Sequence, residues 1–164
     1  MDIWDMVVSM ARLNILMQGS SFRTNLASLG ICTIALIRGG DNILVDTGHF
    51  GNRRLIVDAL KRLGLTPSDI DTVILTHSHW DHALNLELFS DATVIINSKE
   101  LAYIRSIEGY DCATPIVLGQ IMEKIKIQIM TGDRDLSDDI RVIETPGHSQ
   151  GHQAILVWLE EGTA

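Results

Sequence analysis

Short aliphatic runs alternate with polar, glycine-bearing stretches along the chain, and the spacing within each run predicts its conformation. Residues 13–17 read as a strand that ends at Gln18-Gly19-Ser20-Ser21. Residues 31–37 are apolar and β-branched, Arg38-Gly39-Gly40-Asp41-Asn42 is turn chemistry, and 43–45 return as a second strand. That pattern predicts a hairpin with Asp46-Thr47-Gly48-His49 at its end. Over 52–63, Leu55, Ile56, Ala59, Leu60 and Leu63 fall at helical spacing, and Gly64 stops the helix. Thr66-Pro67 opens a further turn of helix, with Thr66 as its cap. Residues 73–75 predict a buried strand, 83–89 a short helix and 92–96 another strand. Ser98 is expected to cap a helix reaching Arg105, with Leu101 and Ile104 inward. Residues 107–120 have no clear period and predict a loop. Ile125, Ile127 and Ile129 alternate with Lys126, Gln128 and Met130, which suits a half-buried strand; 133–139 is an acidic turn, and 140–143 and 152–159 are strands. Strands alternating with helices predict an α/β layered fold.

The candidate chemistry sits at strand ends. Thr76-His77-Ser78-His79-Trp80-Asp81-His82 follows the apolar run 72–75 and places three imidazoles and a carboxylate in six consecutive positions. His77 and His79 are two apart, so in extended backbone they point the same way. Asp81 and His82 follow after a bend, so one ion could be held by the first pair and a second by the other. Imidazole and carboxylate suit Zn²⁺, and also Mn²⁺ or Fe²⁺. A polar surface turn gives no packing reason for such a run.

Composition narrows the setting. With 164 residues, 46% of them apolar, the chain is expected to form one domain with a substantial core. A net charge of −8 argues against a broad nucleic-acid or membrane footprint. Cys32 and Cys112 lack C-x-x-C spacing and read as reduced thiols of an intracellular protein. The first six residues carry Asp2 and Asp5 and no Lys or Arg, which is a poor signal peptide. The expectation is a cytoplasmic protein.

The run His77-Ser78-His79-Trp80-Asp81-His82 resembles the H-x-H-x-D-H signature of the metallo-β-lactamase superfamily. Leu44-Val45-Asp46-Thr47-Gly48 upstream and Thr145-Pro146-Gly147-His148-Ser149 downstream occur in the family's order. The resemblance implies an αβ/βα sandwich, with two facing β-sheets and helices outside, over a single domain spanning 1–164. It also implies a dinuclear site. By position, His77, His79 and His148 form the first metal site, and Asp81 with His82 the main part of the second. Asp46 resembles the carboxylate behind the ligands that steadies the histidine loop. One or two Zn²⁺ ions are expected, with iron or manganese as alternatives. Family members usually continue past the strand at 155–159 into a segment whose Asp bridges the metals, and then to a last His. Their absence here leads to the expectation of a truncated domain, self-associating through an exposed strand edge.

The activity implied is hydrolysis by a metal-bound hydroxide of a small ester, thioester or lactone, with Asp81 as ligand and as the group orienting the nucleophile. The alternative within the superfamily is a phosphodiesterase acting on RNA or DNA, which the acidic balance disfavours. From another class, a truncated non-catalytic metal- or partner-binding module remains open. His79 stands where the oxygen-reducing di-iron relatives tend to have Glu, which disfavours a redox role. Blander readings attach to the other groups. Asp46 could simply cap its turn, His152 bonds locally, His49 faces solvent, Trp80 packs under the loop, and Gly39-Gly40 is a turn without a phosphate-binding helix.

Overall fold

The computed structural model describes residues 11–107, 113–159 and 162–164. The expectations placed on the first ten residues and on Cys112 therefore lie outside the described residues. The strands are β1 (Arg12–Met17), β2 (Ser20–Arg23), β3 (Ser28–Ile31), β4 (Ile34–Arg38), β5 (Asn42–Val45) and β6 (Thr72–Ile74), then β7 (Thr93–Asn97), β8 (Lys126–Met130), β9 (Arg134–Ser137), β10 (Ile140–Glu144), β11 (Gln153–Leu159) and β12 (Gly162–Thr163). The α-helices are α1 (Arg53–Arg62), α2 (Trp80–Ala83), α3 (Ser98–Ser106) and α4 (Val117–Met122).

The first sheet has six strands in the order β1-β4-β5-β6-β7-β8. The predicted hairpin β4–β5 is antiparallel, with Leu36 opposite Leu44. From β5 to β8 the pairing is parallel, which requires crossovers long enough to hold helices. A second sheet runs β12-β11-β10-β9. Because strand residues alternate between faces, the first sheet feeds two cores. Ile34, Leu36, Leu44, Val73, Val94 and Ile96 pack against Ile56 and Leu60 of α1, Leu101 and Ile104 of α3 and Leu118 and Met122 of α4. Ile37, Ile43, Ile74, Ile95 and Met130 face the other way, against Ile140, Val142 and Val157 of the second sheet. Phe89, 1% exposed, fills the helix-side core; truncating such a buried ring to Ala costs about 3–5 kcal/mol. The sheets thus face each other as expected. The helical core residues all lie on the outer side of the first sheet, so among the described residues helices cover one outside and not both.

Several local expectations are corrected. Helix α1 starts one residue later than predicted, after a 3-10 turn at Phe50–Asn52. Gly64 stops it as expected, with φ +76°. Thr66 and Asp69 form a capping box around the turn Pro67–Asp69. The predicted helix at 83–89 is split into α2 and a 3-10 turn, Leu86–Phe89. The side chain of Asn85, at the break, is engaged by the loop opposite. Asn97, not Ser98, caps α3 by accepting from the Lys99 N–H. Helix α4 begins within the predicted loop, just after Pro115, and runs two residues past its expected end. The acidic turn is largely strand β9, paired to β10, where Arg141 meets Asp133 and Asp135. The first strand ends at Met17 as expected, and Ser20 and Ser21 then begin the separate hairpin β2–β3.

Candidate metal centre

Each ligand-type side chain sits just past the carboxyl end of a strand, where open α/β sheets place their ligands. Asp46 follows β5, the run His77 to His82 follows β6, and His148 lies in the loop between β10 and β11. The two sheets are stitched together at this level: Gln153 donates from its backbone to Thr76 O at 3.0 Å and from its side chain to Leu75 O at 2.8 Å.

His77, His79 and His148 each offer a ring nitrogen within 4.8 Å of the others. His77 is 2% exposed, and its tautomer follows from its neighbours. Thr76 Oγ1 donates to Asp46 Oδ2 at 2.8 Å and so accepts from His77 Nδ1 at 3.0 Å. Nε2 of His77 is left as a buried lone pair with no partner. His148 Nε2 stands 3.0 Å from His79 Nδ1. A tetrahedral zinc with bonds of about 2.0–2.1 Å separates its nitrogens by about 3.3 Å, close to that spacing. The three donors fit a divalent ion.

The electrostatics agree. Burial, then the neighbouring rings of His82, His79, His148 and His152, hold the His77 pKa down to about 2. Burial and His148 likewise lower His79 and His152. Neutral imidazole is the form that binds metal. His82 differs. Burial disfavours its charge, but the hydrogen bond and charge of Asp46, aided by Asp81, outweigh that and raise its pKa.

Asp46 is 2% exposed and has a positive φ of 59°, in the left-handed region that favours glycine and that Asp adopts more readily than most other residues. Its oxygens accept from Thr76 N–H at 2.8 Å, Thr76 Oγ1 at 2.8 Å and His82 Nδ1 at 2.7 Å. It therefore does more than cap its own turn. His82, fixed through Nδ1, has its Nε2 3.6 Å from Asp81 Oδ2. Asp81 and His82 are thus neighbours on α2, as their spacing suggested.

Cys32 forms a second ligand-type group with Asp46 and His82, their atoms also within 4.8 Å. Burial, then Asp46 and Asp81, push the Cys32 thiol pKa up, so it stays neutral. Asp46 and His82 Nδ1 already share a proton, which makes this group a hydrogen-bonded floor and not a cation cage. His152 donates to or accepts from Thr145 Oγ1 at 2.7 Å, the local bond its position predicted, although its ring also lies 5.2 Å from that of His77. His49 does not simply face solvent. Its Nδ1 accepts from Gly51 N–H, and its ring packs edge-on against Trp80 at 5.1 Å. Trp80 is half-buried and donates its backbone N–H to Ala113 O at 2.8 Å.

Asn85 was not legible as part of the site. Its fully buried amide nitrogen lies within 3.0 Å of Thr47 O, His49 O and Asn52 Oδ1, tying the loop after β5 to α2. An Asn three residues after a ligand run reads only as turn chemistry.

Residues 27–164 match the sequence pattern of the metallo-beta-lactamase superfamily. The chain belongs to that superfamily. It is 33% identical over 108 residues to an N-acyl homoserine lactonase of Bacillus cereus, a match covering 65% of this chain and 40% of that protein. It is 30% identical over 125 residues to metallo-beta-lactamase domain-containing protein 1 of Xenopus laevis, covering 76% and 47%. A structure of a Bacillus thuringiensis AiiA variant, with N-decanoyl-L-homoserine bound at its active site, superposes with a TM-score of 0.72. That match has 25% identity and covers 96% of this chain and 74% of that one. The chain spans less than half the length of these curated relatives. Among the described residues of this superfamily member, no helix is long and apolar enough to cross a membrane.

Proposed function

We propose that the chain carries the metal centre of a metal-dependent hydrolase for small lactones, esters or thioesters, with lactones the leading class. His77, His79 and His148 hold one zinc ion, and Asp81 with His82 contributes to a second. The observation that carries the reading is the convergence of three imidazole nitrogens within 4.8 Å, one of them a buried lone pair without a partner. The lactone preference rests on the likeness to the B. cereus lactonase. A divalent ion at such a site supplies a Lewis acid and lowers the pKa of a bound water.

The chain's own residues supply the rest. Neutral His ligands leave the ion its full charge, which the depressed pKa values of His77 and His79 secure. Asp81, 9% exposed, presents a carboxylate beside His82 that orients the attacking water through a hydrogen bond. Asp46 keeps the His82 proton on Nδ1, which leaves Nε2 free as a ligand. Hydrolysis then needs no Ser or Cys nucleophile, in keeping with the neutral thiol of Cys32.

The test is a panel of N-acyl homoserine lactones, simple thioesters and bis-p-nitrophenyl phosphate, run on zinc-loaded protein. The reading expects lactone opening that Asp81→Asn lowers by about 100-fold or more. Turnover of the phosphodiester alone, or an Asp81→Asn protein as active as its parent, would overturn it.

A further inference from the structure

We propose that Glu100 is a positioning residue, a buried carboxylate that clamps the two histidine-bearing loops into metal-binding register. The inference rests on the metal-centre reading above and extends it to a residue outside the ligand set. Glu100 lies in the first turn of α3 and is 1% exposed. A carboxylate is almost never buried to that degree unless it is fully partnered. Here Oε1 accepts from the Ser78 N–H at 2.8 Å and from Ser78 Oγ at 2.6 Å. Its other oxygen, Oε2, accepts from Ser149 Oγ at 2.7 Å and from the Gly151 N–H at 3.1 Å.

The sequence positions of these donors give the clamp its meaning. Ser78 stands between His77 and His79, and Ser149 directly follows His148. One carboxylate therefore reaches both loops that supply the imidazole trio, one oxygen to each. Gly151 completes the fit. A Cβ there would lie 2.3 Å from Glu100 N and 2.6 Å from Glu100 Cβ, so only glycine lets the second loop approach α3 this closely. Without this anchor, the His148 loop would be held to the His77–His79 loop chiefly by the stitching from Gln153. Groups behind metal ligands typically govern affinity by about 10–100-fold, because they fix ligand orientation before the ion arrives.

Glu100→Gln tests this, since an amide of the same shape offers donors where the site supplies only donors. Co²⁺ serves as the probe, read by its visible absorption and by competition with a chromophoric chelator, with thermal melting of the chelated proteins alongside. The clamp predicts Co²⁺ affinity lowered by about 10–100-fold in Glu100→Gln, with a changed absorption band. The milder Ser149→Ala should show a smaller loss, while its chelated form melts close to the parent. If Glu100→Gln does not fold, Ser149→Ala and Ser78→Ala decide the matter by the same readouts. Folded variants that bind Co²⁺ with the parent's affinity and spectrum overturn the clamp alone. A parent chain that takes up no Co²⁺ overturns the metal-centre reading and the clamp with it.

Discussion

Replacing Asp46 by Asn isolates what its carboxylate does, because size and tolerance of a positive φ are kept. The native side chain accepts from Thr76 N–H, Thr76 Oγ1 and His82 Nδ1. Asn keeps one acceptor oxygen, for the Thr76 N–H, and turns an amino group towards the two donors that share Oδ2, Thr76 Oγ1 and His82 Nδ1. The contact to His82 then survives only if Nδ1 becomes the acceptor. The ring proton must move to Nε2, the nitrogen 3.6 Å from Asp81 Oδ2, and that nitrogen loses the lone pair a metal needs. Two effects follow. Exchanging a charge-assisted bond for a neutral one costs about 1–2 kcal/mol of stability. Losing the orienting partner of a ligand histidine costs about 10–100-fold in affinity for the ion it holds. Urea unfolding of chelated protein reads the first effect, and zinc competition the second. There is also a pH signature. His82 has a raised pKa in the fold, so its contribution is complete below the unfolded value of about 6.5 and is lost as pH rises through the raised value. The Asn variant should lack that decline. Unchanged zinc affinity together with a parental pH profile would refute the assigned role.

Two further outcomes follow from the same geometry. For His77, held at about 2 by burial and neighbouring rings, and for His79 and His152, also depressed, the linkage has the opposite sign. The unfolded chain takes up protons below about pH 6.5 while these folded rings do not, so chelated protein should lose melting temperature as pH falls from neutrality towards 5. A melting temperature that rises over that range would contradict it. Asn85→Ala should destabilise the chain by about 1–3 kcal/mol, because Thr47 O and Asn52 Oδ1 lose a buried donor. Urea titration with a shift inside about 0.5 kcal/mol would show that the loop is held by other bonds.

What was legible in the sequence divides along physical lines. The inner strands of the first sheet are largely buried on both faces and so appear as aliphatic, mostly β-branched runs, as in Ile43-Leu44-Val45 and Thr93-Val94-Ile95-Ile96. Helix α1, with one buried stripe of Ile56, Ala59 and Leu60, carried a clean period. The hairpin β2–β3 was illegible because all of Ser20–Arg23 is exposed, so no buried face marks it; backbone pairing and the Thr24 side chain at its turn hold it. Strand β9 was hidden by its charges, which suit an exposed edge strand. Helix α4 is short, and its apolar residues fall on both sides, with Val117 exposed and Leu118 buried. In the site, the histidines were visible because ligand types at tight spacing have few other uses. Asn85, Cys32 and Glu100 act through partners 14 to 51 positions away, and no local pattern encodes such contacts.

The central claim is that His77, His79 and His148 together hold a divalent ion. Elemental analysis of protein purified without chelator, for the parent and for His79→Ala and His148→Ala, addresses it most directly. The account predicts about one equivalent or more of zinc in the parent, and most of it lost from each variant, because a tetrahedral site does not retain its ion on two remaining protein ligands. Equal metal content in the parent and both variants would contradict it.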